Sequence, residues 1–320
     1  MNSKSKKIIS FFQRNKSSFI LILFILFSII FSNGKTLSMS NLQNLMMQIS
    51  IQGIVGLGMT FSLICGEFDL SVGSIYTFAG ITFAKCLQVM PFFYAAIIAV
   101  SLGAFLGLIN GFIVNKMKIN SFIATLATSY IYKGMADIIC NGEPTSVGNN
   151  NFVVNISKFK FLGIPIYLFI LLFFSIISIY VLSNMRFGRN IYATGGNYEV
   201  AKNSGINVDF YKIMSFVIVC ASAALAGVLL TIRLQSATPI AGDDLNLVVI
   251  GAVIIGGTST DGGIGSAQKS IIGMLIFGII INTMNVLGIA GYYQQVVRGV
   301  LTVAIIASTS YSNYRKTSTL

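Results

Sequence analysis

Apolar runs long enough to cross a bilayer recur from residue 18 to residue 310, with only short polar breaks between them. A helix needs about 20 apolar residues to traverse the hydrocarbon core, where every backbone amide must find its partner inside the protein. Runs that are continuous rather than alternating select helices over a closed barrel. Composition agrees, since 9% of the residues are charged against about 25% in soluble domains. The spans read as Ser18 to Ser32, 45–64, 74–90, 92–114, 121–139, 164–183, 213–232, 247–257, 267–284 and 293–310. The expected fold is an all-α polytopic membrane protein of about ten transmembrane helices, one membrane domain over 1–320 without linkers or an attached catalytic domain.

The net charge of +12 would suggest nucleic acid in a soluble protein, but in a membrane protein Lys and Arg collect in cytoplasmic loops, and no nucleic-acid partner is expected here. Lys4, Lys6, Lys7, Arg14 and Lys16 precede the first span and place the 1–17 tail inside. The stretch Phe31-Ser32-Asn33-Gly34 lacks the paired small residues of a cleavage site, so the first span reads as an uncleaved helix rather than a signal peptide. Alternating sides from there puts 115–120, 184–212 and the tail after 310 in the cytoplasm; with the N-terminus these hold 13 of the 21 basic residues. Lys35, Lys158, Lys160 and Arg233 fall outside. An even number of crossings with both termini cytoplasmic is the expectation.

Two glycine-rich segments interrupt this apolar pattern. Gly66-Glu67-Phe68-Asp69-Leu70-Ser71-Val72-Gly73 brings two carboxylates and a hydroxyl into a stretch that is otherwise apolar from Ile49 to beyond Ala79. Gly256-Gly257-Thr258-Ser259-Thr260-Asp261-Gly262-Gly263 does the same later in the chain. Paired interruptions in two halves of a transporter point to broken helices near a substrate path, so Glu67, Asp69, Ser71, Gly73, Gly256, Gly257, Asp261, Gly262 and Gly263 are candidate path or broken-helix residues. A plain polar hairpin over 66–73 is the alternative. Gly263 to Ser270 nearly matches a phosphate-binding loop, but Gln268 stands where the second glycine must let backbone amides wrap the phosphates. No nucleotide site is expected on this chain.

Other features read as packing. Gly103, Gly107 and Gly111 form a ladder of small residues that lets a neighbouring helix approach closely. Lys133 and Asp137, four apart on one helix, read as a mutually neutralising pair, while Lys85 and Arg298 either snorkel or line a cavity. The four cysteines are scattered and the chain has no His, which gives no metal-ligand spacing; the cysteines are assigned packing roles.

The longest inside loop, 184–212, includes a short helix, with Asn197 as its N-cap and Gly205 as its stop. It reads either as a docking element or as a solvated connector.

Taken together, these motifs resemble the membrane permease subunits of bacterial ABC importers for ribose, galactose and xylose, over nearly the whole chain. Gly66 to Gly73 is similar to the family's Gly-Ile-Asp-Leu-Ser-Val-Gly signature, with one extra residue between the glycine and the aspartate. Gly188-Arg189-Asn190-Ile191-Tyr192-Ala193-Thr194-Gly195-Gly196-Asn197, continuing to Ser204-Gly205-Ile206, resembles its cytoplasmic stretch. Arg233 to Pro239, Gly256 to Gly263 and Tyr293-Gln294 are also similar.

The resemblance implies a permease of the bacterial inner membrane, paired with a second copy or a paralogous permease, joined to a cytoplasmic ATP-binding subunit and served by an extracytoplasmic sugar-binding protein. ATP and Mg would bind the partner ATPase and no cofactor would bind this chain, which itself performs no bond chemistry. Glu199, Ala201 and Gly205, with Arg189 from the same stretch, would carry ATPase coupling. Val200 replaces an alanine of the coupling pattern, and Asp261 and Ile264 depart from the residues common in the second glycine loop. Nucleosides, an autoinducer or branched-chain amino acids are alternative cargoes for the same machinery. An ion-coupled secondary transporter using Glu67 or Asp69 is the rival of another class.

Overall fold

The computed structural model describes residues 16–148 and 150–317. Of the 1–17 tail, residues 1–15 lie outside the described residues. Each of the ten apolar segments is helical: α1 (Lys16–Phe31), α2 (Met39–Ile64), α3 (Val72–Leu87), α4 (Phe92–Lys116), α5 (Ser121–Cys140), α7 (Ile166–Asn184), α10 (Val208–Leu234), α11 (Leu245–Ile255), α12 (Ala267–Val286) and α13 (Gly291–Thr317). Between them lie three short helices, α6 (Asn151–Lys158), α8 (Arg186–Gly196) and α9 (Tyr198–Asn203). Two small antiparallel pairings, Thr145–Ser146 with Ser236–Ala237 and Lys160–Phe161 with Ile164–Pro165, pin the loops at the end opposite α8 and α9.

Among the described residues, α2, α4, α7, α10 and α12 are long and apolar enough to cross a membrane. The chain is thus an all-α membrane protein. α11 has 11 residues, a rise of about 16 Å at 1.5 Å per residue, which covers only about half of a hydrocarbon core of ~30 Å. The apolar run read as a span at 247–257 therefore holds a short helix preceded by irregular chain at 238–244, because hydropathy registers apolar surface and not helix length. Arg233, read above as an outside-loop residue, lies in the last turn of α10. Lys269 of the phosphate-loop look-alike lies in the first turn of α12.

The core is organised around α10, which packs on α2, α3 and α4. Its fit to α4 rests on the small-residue ladder: a Cβ on Gly107 would stand 2.5 Å from the Phe216 carbonyl oxygen, and one on Gly111 would stand 2.8 Å from the Ile213 Cα. Close backbone approach of this kind replaces hydrophobic driving force where lipid is the solvent. Hydrogen bonds across helices complete the packing. Asn41 on α2 and Asn282 on α12 exchange two amide bonds of 2.9 Å, and Thr60 on α2 donates to Ser270 on α12 at 2.8 Å. Lys133 and Asp137 form their pair at 3.3 Å; Lys133 also reaches Asp243 at 3.8 Å and the Pro239 carbonyl. Partial burial raises the Asp243 carboxyl above its ordinary range, an effect opposed by Lys133 and reinforced by Asp244 and Asp137. Outward faces carry Phe105, Ile131 and Ile176, surfaces suited to hydrocarbon.

Candidate functional site

The residues singled out from sequence gather at one end of the bundle, around α8 and α9. α9 is only six residues long, too short to be stable unaided, and it is held by its ends. The Asn197 side chain accepts from the Val200 amide at 3.1 Å. At the other end the amides of Gly205 and Ile206 donate back to the carbonyls of Lys202 and Ala201, a closure that requires the left-handed backbone of Gly205, φ +80. Ala201 is buried against the body, whereas Glu199, Val200, Lys202 and Gly205 face outward. The short helix expected between Asn197 and Gly205 is present with those caps.

Immediately before α9, the C-terminal glycines of α8 meet both interrupted segments. Gly66 lies beside Gly195 and Gly262, and the Gly263 amide donates to the Ile64 carbonyl at 2.8 Å. A Cβ on Gly262 would be 2.6 Å from the Gly195 carbonyl oxygen, and one on Gly263 would be 2.6 Å from the Gly196 Cα. One on Gly195 would fall inside the Ile64 carbonyl. Three chain segments far apart in sequence thus touch through their backbones. Tyr192 of α8 adds a hydroxyl bond of 2.9 Å to the Gly265 carbonyl, and burial raises this phenol's pKa above its ordinary value.

The first interrupted segment is a buried turn between α2 and α3, not a solvated hairpin. Gly66 supplies the positive φ of +84 that starts it. Glu67 is buried and accepts an ion pair from Lys212, in the first turns of α10, at 2.5 Å. The Lys212 ammonium also lies 5.3 Å from the ring of Tyr198, the first residue of α9. These residues line an open groove of about 670 Å³ that includes Lys118 and Asn115.

Deeper in, Asp69 is fully buried. Its Oδ1 accepts from the Ser71 amide at 2.8 Å and the Ser71 hydroxyl at 2.6 Å, and its Oδ2 accepts from the Cys220 thiol at 3.2 Å. The Ser71 hydroxyl in turn accepts from Asn110 at 2.7 Å, whose carbonyl accepts from Tyr132 at 2.9 Å. α4, α5 and α10 are tied to the turn by this one chain of bonds. The Leu70 amide donates to Thr125, while Asn246 at the start of α11 bonds the Gly73 amide at 2.8 Å and the Leu70 carbonyl at 2.7 Å.

Not every candidate joins this cluster. Gly256 packs its backbone on Lys269 and Ser270 of α12, while Gly257 only approaches the Lys269 side chain. Asp261 is exposed. Arg189 is exposed on α8 and donates to the Asn184 carbonyl at 3.1 Å, capping the end of α7. Conversely, Asn110, Thr125, Tyr132, Asn246 and Cys220 were not legible as site residues. Asn110 offers a retrospective signal, a lone amide within the apolar fourth span. Cys220, assigned to packing, is also a hydrogen-bond donor.

Comparison with known proteins follows the same outline. Residues 41–306 match the family model described as branched-chain amino acid transport system / permease component. The chain is 34% identical over 319 residues to a ribose import permease protein of Haemophilus influenzae, covering 98% of this chain and 99% of that one. It is 38% identical over 273 residues to a D-allose transport system permease protein of Escherichia coli, with 85% and 83% covered. It is 36% identical over 296 residues to an L-arabinose transport system permease protein of Escherichia coli, with 92% and 89% covered. No solved structure matches the chain.

Proposed function

Because this chain belongs to the branched-chain amino acid transport system / permease component family, we propose that it is the multi-pass inner-membrane permease subunit of an ATP-binding-cassette importer, carrying a monosaccharide. The sugar cargo is supported by the relatives, which are named for ribose, D-allose and L-arabinose. In this reading the chain crosses the membrane ten times, the half-length α11 together with neighbouring chain making one crossing, with both termini in the cytoplasm, so α8 and α9 face the cytoplasm. ATP and Mg act on a separate ATPase, and an external binding protein delivers the sugar. A second permease, identical or paralogous, completes the pathway.

The observation that carries the mechanism is the position of α9. Its outward residues Glu199, Val200 and Lys202 stand free for a partner, while its base is fastened to Gly66 and Gly262 through Gly195 and to Glu67 through Lys212. ATPase closure would displace α9, and the displacement would reach the α2–α3 turn and the α11–α12 loop together. Asp69 and Ser71, bonded on every side, brace the turn so that it moves as one piece.

The test is reconstitution. The chain co-purified with its ATPase should accumulate labelled sugar in vesicles only when ATP and the binding protein are both supplied. Accumulation by the chain alone under a proton or sodium gradient would overturn the proposal.

A further inference from the structure

A second polar site lies away from α8 and α9, in a half-open cavity between α2, α3, α11 and α13. Gln52 stands at the midpoint of α2, within a run of buried apolar residues. Among the described residues nothing hydrogen-bonds its amide. It opens into a cavity of about 150 Å³ whose other polar walls are Tyr76 on α3, Asp244 at the start of α11 and Arg298 on α13. Arg298 Nη1 donates to Asp244 Oδ2 at 2.7 Å; its Nε is buried and has no partner among the described residues. Leu245 and Val248 supply an apolar wall.

These features are costly unless used. Arg298 is largely buried while its partner Asp244 is half-exposed at the mouth of the cavity, and ionisable groups within a membrane bundle mark ligand pathways. Since Arg298 and Asp244 neutralise each other, the cavity does not select an ion. It offers amide, carboxylate and guanidinium groups together, hence both donors and acceptors, beside an apolar wall. That combination suits a neutral ring bearing several hydroxyls, which both donate and accept. The volume is roughly that of five liquid waters, on the scale of one monosaccharide ring.

We propose that Gln52, Asp244 and Arg298 form a subsite that holds one neutral polyhydroxyl ring on its way through the bundle. The proposal rests on the sugar-importer reading given above.

The experiment uses the whole importer in proteoliposomes, with labelled D-ribose, D-allose and L-arabinose as probes and ATP hydrolysis followed in parallel. Gln52→Leu and Asp244→Asn should each change the relative uptake rates of the three sugars by roughly threefold to tenfold, the effect of one lost hydrogen bond. Both should also lower the sugar moved per ATP hydrolysed, and Gln52→Asn should fall between Gln52→Leu and wild type. Tyr76→Phe, which removes one hydroxyl at constant shape, substitutes for any variant that fails to co-purify with the ATPase. Unchanged ratios among the sugars would overturn the subsite and leave the importer reading standing. If the wild-type complex moves no sugar, the importer reading fails and the subsite fails with it.

Discussion

Asp69 and Gly195 show how single residues hold this protein together by opposite means. Asp69 is a fully buried carboxyl, which is tolerable because both oxygens are bonded by Ser71 and Cys220. Asp69→Ala would leave the Ser71 amide and hydroxyl unsatisfied, at a cost on the order of 3 kcal/mol, read as a lowered thermal midpoint in detergent. Gly195 works by having no side chain. Gly195→Ala would push α8 off the Ile64 carbonyl and should abolish sugar uptake while the chain still inserts in the membrane. Gly134 on α5, where a Cβ would meet nothing within 4 Å, is the control: Gly134→Ala should leave uptake intact and stabilise its helix by about 1 kcal/mol. The glycines of this junction were legible in the sequence because glycine clusters are rare inside apolar runs. The partners of the turn around Asp69 were not, because Asn110, Thr125 and Cys220 are single residues on three other helices, and no spacing along the chain ties them to the turn.

For an element such as α9, the caps decide whether it forms at all. Asn197→Ala removes the bond to the Val200 amide and should cost about 1 kcal/mol of helix stability. Gly205→Arg forces a side chain into the left-handed region at about 1–2 kcal/mol and also places bulk on the outward face. Both should reduce uptake more than they reduce ATP hydrolysis, measured in the same vesicles. The Lys212–Glu67 pair makes a related prediction. Glu67→Lys alone sets two cations together and should suppress uptake; the exchanged pair Glu67→Lys with Lys212→Glu should restore a large part of it. The caps of α9 were readable because Asn and Gly act locally, within a few residues. The ion pair was not, since it joins residues 145 apart in sequence. The segment at 247–257 was read with the right length but as a full span: α11 is short because the chain before it folds back on Gly73 through Gly242, a tertiary contact with no trace in hydropathy.

For the whole molecule, the apolar runs made the fold class legible, because a bilayer acts on every residue through one simple solvent rule; the placement of Lys and Arg adds a proposed topology. The topology proposed from them is open to direct measurement. A membrane-impermeant thiol reagent added to intact cells should modify a Lys158→Cys variant and spare a Lys202→Cys variant; the reverse pattern would invert the molecule. The backbone junction of Gly66, Gly195 and Gly262 sets how such a molecule can be driven. Side chains that meet across an interface can change rotamer and absorb a push, but at Gly66, Gly195 and Gly262 the backbones themselves meet. If a partner displaces α8 as proposed, an ångström of travel there would arrive nearly undiminished at the α2–α3 turn and the α11–α12 loop, and the stroke would be set by how far the partner bends.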